Sequence, residues 1–315
     1  MSVEMVSLGL ACADVMVRPV DEWPERGKLT LVPDIEMHLG GLASVTAAVY
    51  RRLGGASALI TKVGSDGFGR FITRELDRQG VDVSQVRVAE GEGSASTAVL
   101  IDSQGERTFL HNPGASASLC EDDVDVTAFS SARALHWGGP AVTPGLDGEP
   151  IGRIMEKARG MGLITSMDTC YDGAGKWYSR IEHALPHLTI AMSSFEEARM
   201  YMGKDTPEAI ADALLAHGPE VAVVKLGPDG VLVKAAGECH RIPSHRVDVM
   251  DTTGAGDASC AGFLYAFLHG WGLERCARIA NAVGALTVQV MGGSEGVTSF
   301  EQVERLADDT DSLRN

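Results

Sequence analysis

The sequence predicts an α/β protein whose mostly parallel, doubly wound sheet carries helices on both faces. Short apolar segments of strand length alternate along the chain with longer segments of helical periodicity, which is typical of repeated strand–helix–strand units. The 315 residues, 44% of them hydrophobic, are enough to bury the core of such a sheet in a single domain spanning 1–315. In sheets of this kind, ligands bind at the carboxyl ends of the strands.

The predicted strands are short apolar runs bounded by turn residues. They cover 3–10, 56–62, 133–137, 163–168, 188–192 and 221–226. The predicted helices repeat apolar residues at intervals of three and four. They cover 43–53, 66–79, 151–159, 195–202, 207–217 and 258–268.

Two segments interrupt this alternation of strands and helices. Residues 14–38 are rich in proline and charge, which favours turns and short strands. In the second segment, 94–111, two stretches of alternating polarity flank a turn at 102–105, which predicts a β-hairpin. Neither segment has the periodicity of a helix, so both are expected to form β-structure apart from the main sheet.

The charge balance is strongly acidic, with 43 Asp and Glu against 27 Lys and Arg, giving a formal net charge of −16. This balance argues against nucleic acid or an anionic membrane as a partner. The six cysteines have neither Cys-x-x-Cys nor zinc-ligand spacing, so we expect reduced thiols in a cytoplasmic protein. No secretion signal and no apolar run of membrane-spanning length is visible in the sequence.

The most informative segment runs from Asp251 to Phe263 and reads Asp-Thr-Thr-Gly-Ala-Gly-Asp-Ala-Ser-Cys-Ala-Gly-Phe. Its small residues precede a helical apolar run, so the N–H groups of Ala255, Gly256 and Asp257 can converge at a helix N-terminus and bind an anion. The carboxylate of Asp257 is compatible with a bound phosphate if it accepts a proton from an attacking hydroxyl. The simpler interpretation is a tight turn with Asp257 as a helix cap.

This segment resembles the C-terminal signature of the ribokinase-like (PfkB) carbohydrate kinase family throughout its length. The resemblance implies a ribokinase-like fold and ATP-dependent phosphorylation of a hydroxyl on a sugar or sugar-like molecule. It makes Asp257 the general base and gives Gly254, Ala255 and Gly256 the anion hole. It also implies that 14–38 and 94–111 form a small β-sheet lid, through which relatives often form homodimers.

The resemblance extends to the sugar-binding elements near the N-terminus. Gly40 and Gly41 match the family's di-glycine, and Asp14 matches the acidic residue that binds sugar hydroxyls. Where the family usually has Asn, this chain has Val45, and an apolar residue, Leu42, directly follows the di-glycine. We therefore expect a bulkier or less hydroxylated substrate than ribose or fructose.

Other side chains are expected to supply the polarity that these two substitutions remove. The candidates are Ser44, Thr46, His38 and the lid. Arg107 lies in the second lid segment, and we expect it to contact either an anionic substrate group or the acidic protein surface.

The nucleotide side is assigned by the same resemblance. Lys225, Gly227 and Gly230 belong to a strand and glycine-rich turn near phosphate or ribose, and Thr252 is assigned to the nucleotide too. Asn281 is the expected polar contact beside the adenine.

Metal ions are implied at two places. Glu197, preceded by Ser194 where the family usually has Asn, is expected to hold Mg²⁺ through water, although a capped helix start explains the same residues. The resemblance further implies that the loop 291–294 and the backbone of Asp251 and Thr253 bind a monovalent cation such as K⁺.

Two alternatives to a sugar kinase follow from the sequence. A nucleoside kinase of the same superfamily fits the apolar Val45, and a non-catalytic ligand sensor could keep the fold. A pure binder has no need of a base, so the intact Asp257 argues against the sensor. The chain lacks the Gly-x-x-x-x-Gly-Lys-Ser/Thr motif and is therefore not a P-loop enzyme.

Overall fold

The computed structural model describes residues 3–292 and 295–313. Its strands, in chain order, are β1 (Met5–Gly9), β2 (Cys12–Arg18), β3 (Asp34–Gly40), β4 (Ser57–Gly64), β5 (Val86–Ala89), β6 (Ser96–Ile101), β7 (Arg107–Asn112), β8 (Ala134–Gly138), β9 (Ile164–Asp168), β10 (Ile190–Ser194), β11 (Val221–Lys225), β12 (Val231–Ala235) and β13 (Glu238–Ile242). Its α-helices are α1 (Leu42–Arg52), α2 (Gly67–Arg78), α3 (Glu149–Gly160), α4 (Tyr178–Ile181), α5 (Phe195–Met202), α6 (Pro207–Ala216), α7 (Ala255–Leu268), α8 (Leu273–Thr287) and α9 (Phe300–Asp308).

The main sheet has nine strands in the order β13-β12-β11-β10-β9-β8-β1-β4-β5. Neighbouring strands from β11 to β5 pair in parallel, and only β12 and β13 are added antiparallel at one edge. One face is covered by α1, α7, α8 and α9, and the other by α3, α5 and α6. The predicted doubly wound α/β architecture is therefore confirmed.

A separate sheet of four strands, in the order β3-β2-β6-β7, is built from the two segments that interrupt the strand–helix alternation. Strands β2 and β6 are parallel, whereas β2–β3 and β6–β7 are antiparallel. The predicted hairpin in 94–111 is β6–β7. We call this four-stranded sheet the lid.

Most predicted elements end within two residues of the observed ones, but the β12–β13 hairpin was not predicted. The apolar run of β12 is only three residues long and ends at Lys234, and the edge strand β13 carries polar residues such as Glu238, so neither gives a clear signal for a buried strand. Asp66, in a glycine-rich element, caps α2 by accepting from Gly69 N at 2.8 Å and ties that helix to Ser94 N at 2.9 Å. That element therefore has a structural role.

Helix α7 begins three residues earlier than the apolar run predicted. Gly254 is its N-cap, with a left-handed φ of 72° that disfavours residues with a side chain. The helix packs between α1 and α8, and most of its residues are buried. Its N-terminus is consequently anchored by the protein core.

All six cysteines are free thiols. Within 3–292 and 295–313, no helix is both long and apolar enough to cross a membrane.

Candidate active site

A cavity of about 640 Å³ opens at the carboxyl edge of the main sheet. Asp168, Ser194 and Lys225 are the last residues of β9, β10 and β11, and all three line it. Much of the remaining lining is apolar. It includes Val223, Val231, Val247, Val249, Ala280, Ala285 and Val288. The volume and the mixture of polar and apolar lining residues are typical of a small-ligand site.

The N-terminus of α7 forms part of the cavity wall. Its first i→i−4 bond runs from Ala258 N to Gly254 O at 2.8 Å, so the N–H groups of Gly256 and Asp257 precede the helical ladder. Both residues line the cavity. Ala255 differs from the prediction, because its N–H donates to Thr252 O at 3.3 Å within the turn.

Asp257 lies in the third position of α7 and faces the same cavity. Burial raises the pKa of its carboxyl to about 8, and the negative charges of Asp168, Glu197 and Asp14 add to the rise while Lys225 opposes it. Helix α1 fixes the backbone here, since Thr46 Oγ1 donates to Asp257 O at 3.1 Å. A carboxylate with high proton affinity next to anion-binding N–H groups can accept a proton from a bound hydroxyl.

Lys225 is the cation at the base of the cavity. Its Nζ lies 2.7 and 2.6 Å from the two carboxylate oxygens of Asp168 and 3.6 Å from Cys260 Sγ. The same Nζ is 3.1 Å from the point where a Cβ on Gly256 would stand, so the ammonium lies at the foot of the anion-binding turn.

Glu197 lies beside this ion pair on α5. Its Oε2 accepts from Thr169 Oγ1 at 2.8 Å, and burial together with the charge of Asp168 raises its pKa. Ser194 caps the helix by accepting from Glu197 N at 3.4 Å, so the capping interpretation is confirmed. Among the described residues, no group of three or more His, Cys, Asp or Glu side chains is arranged to hold a metal ion. A half-buried carboxylate at the cavity nevertheless fits a magnesium–phosphate complex that keeps its own waters.

The residues predicted to bind the nucleotide also belong to this cavity. Gly227 and Gly230 line it at the β11–β12 turn, and Asn281 lines it from α8. The Asn281 Nδ2 group donates to Ile242 O and Pro243 O, both at 3.0 Å, so it also holds the end of β13 against α8.

The lid carries Asp14, which is predicted to bind the substrate. Asp14 on β2 is paired in register with His38 on β3 and Thr97 on β6, and Thr97 is opposite His111 on β7. Thr97 Oγ1 is 3.1 Å from His111 Nδ1 and 3.2 Å from Cys12 Sγ. Burial raises the pKa of Asp14, and the charge of Asp251 contributes to that rise. The lid therefore presents a row of polar side chains.

The di-glycine lies against Asp14. A Cβ on Gly40 would be 2.0 Å from Asp14 Oδ2, so only glycine leaves room for the carboxylate. Ser44 is fully buried, and its hydroxyl donates to Gly41 O at 3.0 Å and to Gly40 O at 2.5 Å. We therefore expect Ser44 to act on a substrate through the shape of this turn.

The two apolar substitutions lie in different places. Leu42 lines the cavity, as expected. Val45 is 1% exposed and belongs to the core cluster between α1 and α7, so it does not contribute to the substrate site that its place in the family pattern implied. The helix turns Val45 towards the core.

Arg107 reaches from the lid to the turn before α7. Its Nη1 donates to Asp251 Oδ1 at 3.2 Å and to Thr253 Oγ1 at 2.7 Å, and its Nη2 donates to Thr252 Oγ1. Asp251 Oδ1 also accepts from Thr253 N at 2.9 Å. Arg107 thus contacts the predicted cation-binding residues, and its predicted substrate contact stays a prediction. Residues 293–294 of the predicted cation loop lie outside the described residues.

Sequence reasoning missed several residues at this site. Asp168, Thr169, Cys170 and Cys260 line the cavity, and Thr97 and His111 adjoin Asp14. Asp168 ends a predicted strand, so the rule that ligands gather at carboxyl ends could have identified it. Thr97 and His111 carry no such local signal, because only the strand pairing of the lid brings them to Asp14.

These features define the class of protein. An anion-binding turn and a carboxylate lie at the start of a core helix, and they face a β-sheet lid across the carboxyl edge of an α/β sheet. This arrangement is that of a ribokinase-like kinase. The chain belongs to the pfkB family of carbohydrate kinases, whose family model matches residues 3–299.

Individual relatives agree with this family. The chain is 33% identical over 247 residues to an uncharacterized sugar kinase of Archaeoglobus fulgidus, covering 78% of this chain and 96% of that protein. It is 30% identical over 294 residues to 2-dehydro-3-deoxygluconokinase of Bacillus subtilis, covering 89% of each. The structure of Arabidopsis thaliana ribokinase complexed with ribose and ATP matches with a TM-score of 0.83 at 25% identity, covering 98% of this chain and 100% of that one.

Proposed function

We propose that the protein transfers the γ-phosphoryl group of ATP to a hydroxyl of a sugar or sugar-like small molecule. The observation that carries this proposal is the position of Asp257, whose carboxyl and N–H group face one cavity from the N-terminus of α7. The carboxyl can take a proton while the N–H groups stabilise phosphoryl charge. Because it consumes ATP, we place the protein in the cytoplasm.

In the proposed reaction, the acceptor hydroxyl oxygen attacks the γ-phosphorus and gives its proton to Asp257. The bond from the γ-phosphorus to the bridging oxygen breaks, and ADP leaves with that electron pair. The N–H groups of Gly256 and Asp257 and the Lys225 ammonium stabilise the charge on the transferring group. The apolar lining of the cavity takes the nucleotide base.

Glu197 is the residue proposed to hold Mg²⁺, through water. The ion, when bound with ATP, neutralises phosphate charge. The carboxylate of Glu197 is oriented by the hydroxyl of Thr169 at 2.8 Å, which fixes it at the cavity.

The acceptor is proposed to be a modified sugar, with a deoxy-sugar acid favoured over ribose or fructose. The apolar Leu42 at the cavity wall supports this preference, because a site with one hydrogen-bonding group fewer binds a highly hydroxylated sugar less well. The related Bacillus enzyme is named for a 3-deoxy sugar acid. A nucleoside is the second candidate, because Leu42 also suits an apolar ring.

An ATP-consumption assay over a panel of sugars, deoxy-sugar acids and nucleosides tests this proposal. We expect turnover of at least one deoxy-sugar acid and poor kcat/KM for ribose and fructose. Efficient turnover of ribose would contradict the acceptor class. Turnover of nucleosides alone would favour the second candidate, and none on any compound would contradict the kinase proposal.

A homodimer formed through the lid is part of the proposal. The outward lid surface exposes Ile35, Met37 and Leu110, with relative exposures of 62%, 43% and 54%. An apolar sheet face of this kind is usually covered by a partner. Light scattering should give a dimer for the native chain and a monomer for Ile35→Glu. Met161→Glu, at an exposed site on another face, is the control, and a monomeric native chain would contradict the proposal.

A further inference from the structure

The contact between Arg107 and the turn before α7 is unusual for a lid residue. Its guanidinium is bound to groups that all belong to the turn: the carboxylate of Asp251 and the hydroxyls of Thr252 and Thr253. The Arg107 side chain is 23% exposed, and that of Asp251 is 1% exposed. A cation from the lid therefore reaches a buried carboxylate in the loop between β13 and α7.

Asp251 needs a counter-charge because it is buried among other acidic groups. The negative charge of Asp251 contributes to the raised pKa of Asp14. The negative charge of Asp14 contributes in turn to the raised pKa of Asp257. The remaining hydrogen bonds of Asp251, from Thr253 N at 2.9 Å and Gly292 N at 3.2 Å, come from neutral groups. A buried carboxylate is stabilised by a paired cation, and Arg107 is the cation that contacts it.

This arrangement disagrees with the monovalent cation that the family resemblance implies at Asp251 and Thr253. The guanidinium binds the carboxylate oxygen Oδ1 of Asp251 and the hydroxyl of Thr253. A metal cation beside the same carboxylate would be repelled by the fixed positive charge of Arg107. The residues present therefore fit an arginine better than a free monovalent cation.

We infer that Arg107 replaces the monovalent cation, so that the lid itself supplies the positive charge to the turn before α7. Two further contacts hold the lid in this position. The His38 ring packs on Gly292, because a Cβ added to Gly292 would lie 2.1 Å from His38 Nδ1. Met291 packs against the lid residues Met16 and Val99. Closing the lid thereby brings a positive charge to the anion-binding turn and orders that turn at the same time. The effect on catalysis rests on the proposed kinase activity, whereas the effect on cation binding does not.

The first test uses the protein alone. Thermal unfolding is compared in KCl and in N-methylglucamine chloride at equal ionic strength, with ²⁰⁵Tl⁺ NMR as a direct probe of monovalent cation binding. The native chain should show no K⁺-specific rise in Tm and no specific Tl⁺ binding. Arg107→Gln removes the positive charge from the Asp251 carboxylate. This variant should therefore show both a K⁺-specific rise in Tm and specific Tl⁺ binding.

Two variants control this experiment. Arg107→Lys keeps the positive charge and should stay insensitive to K⁺. Arg18→Gln removes another lid arginine, which pairs with Asp34 at 3.1 Å on the lid itself, and should also stay insensitive. If Arg107→Gln does not fold, Arg107→Met with the same readouts replaces it.

The second test measures kinase activity with and without K⁺. The native rate should be unchanged, and K⁺ should restore Arg107→Gln by about fivefold or more, the range of a typical coupling between sites. A native chain that requires K⁺, or an Arg107→Gln variant that gains no K⁺ response, would overturn the inference. Absence of all kinase activity would instead contradict the proposed function and leave the cation-binding result standing.

Discussion

Lys225 and Asp168 form a buried ion pair directly below the anion-binding turn. The Lys225 Nζ lies 2.7 and 2.6 Å from the two carboxylate oxygens, and the Asp168 side chain is 2% exposed. The negative charges of Glu197 and Asp257 both raise the pKa of Lys225. One ammonium therefore lies among three carboxyl groups, and the charges of Lys225, Asp168 and Glu197 all shift the pKa of Asp257, the proposed base.

Replacing Asp257 with Asn should lower kcat by roughly 10²- to 10⁴-fold, the usual contribution of a general base. Nucleotide affinity should change little, because the N–H groups at the start of α7 remain. Steady-state kinetics and titration with an ATP analogue measure the two effects. Asp248→Asn, at an exposed position in the preceding loop, is the control. Turnover near the native rate in Asp257→Asn would exclude its role as the base.

The activity should rise with pH over an unusually high range for a carboxylate. The pKa of Asp257 is raised to about 8, and only its deprotonated form can accept a proton, so kcat/KM should rise towards a plateau above about pH 8. Asp168→Asn removes a negative charge that raises this pKa, so the rise should move to lower pH. Asp212→Asn, which breaks the Lys234–Asp212 pair at the surface, should leave the profile unchanged.

Breaking the buried ion pair should also reduce stability. Asp168→Asn or Lys225→Met alone should lower the free energy of unfolding by about 3 kcal/mol, because each leaves a buried charge without its partner. The double variant should lose less than the two single losses combined, since neither charge remains. Urea unfolding of all three variants measures this coupling. Additive losses would mean that the two residues contribute to stability independently.

The lid should become more protected when the acceptor binds, because closure excludes water that would otherwise compete for the phosphoryl group. Hydrogen exchange in β2, β3, β6 and β7 should slow at saturating acceptor. The β12–β13 hairpin, at the far edge of the main sheet, is an internal control in the same experiment. Equal exchange in the lid with and without acceptor would indicate a static site.

Asp14→Ala should mainly raise KM for the acceptor, by about 10- to 100-fold, because a hydrogen bond to a charged group contributes about 1.5–3 kcal/mol. The effect on kcat should be smaller, since Asp14 is proposed to bind acceptor hydroxyls that do not react. Asp34→Asn, on β3 and paired with Arg18, is the matched lid control. A loss confined to kcat would assign Asp14 a role in the transfer step.

The sequence was most informative where function depends on residues close together in the chain. The segment 251–263 contains its own turn, helix start and carboxylate, so the anion-binding geometry could be predicted locally. The partners of Asp14 could not, because Thr97 and His111 lie 83 and 97 positions away and meet it only through strand pairing. The orientation of Val45 likewise depends on how α1 packs against α7.

The two halves of the site belong to different sheets, and this division has an evolutionary consequence. The groups proposed to transfer phosphate are held by α7 and the nine-stranded sheet, whereas the acceptor is proposed to face β2, β3, β6 and β7 of the lid. Substitutions at His38, Thr97 or His111 can therefore alter acceptor preference while the transfer chemistry is inherited unchanged. Grafting lid strands between relatives is a direct route to kinases with new acceptors.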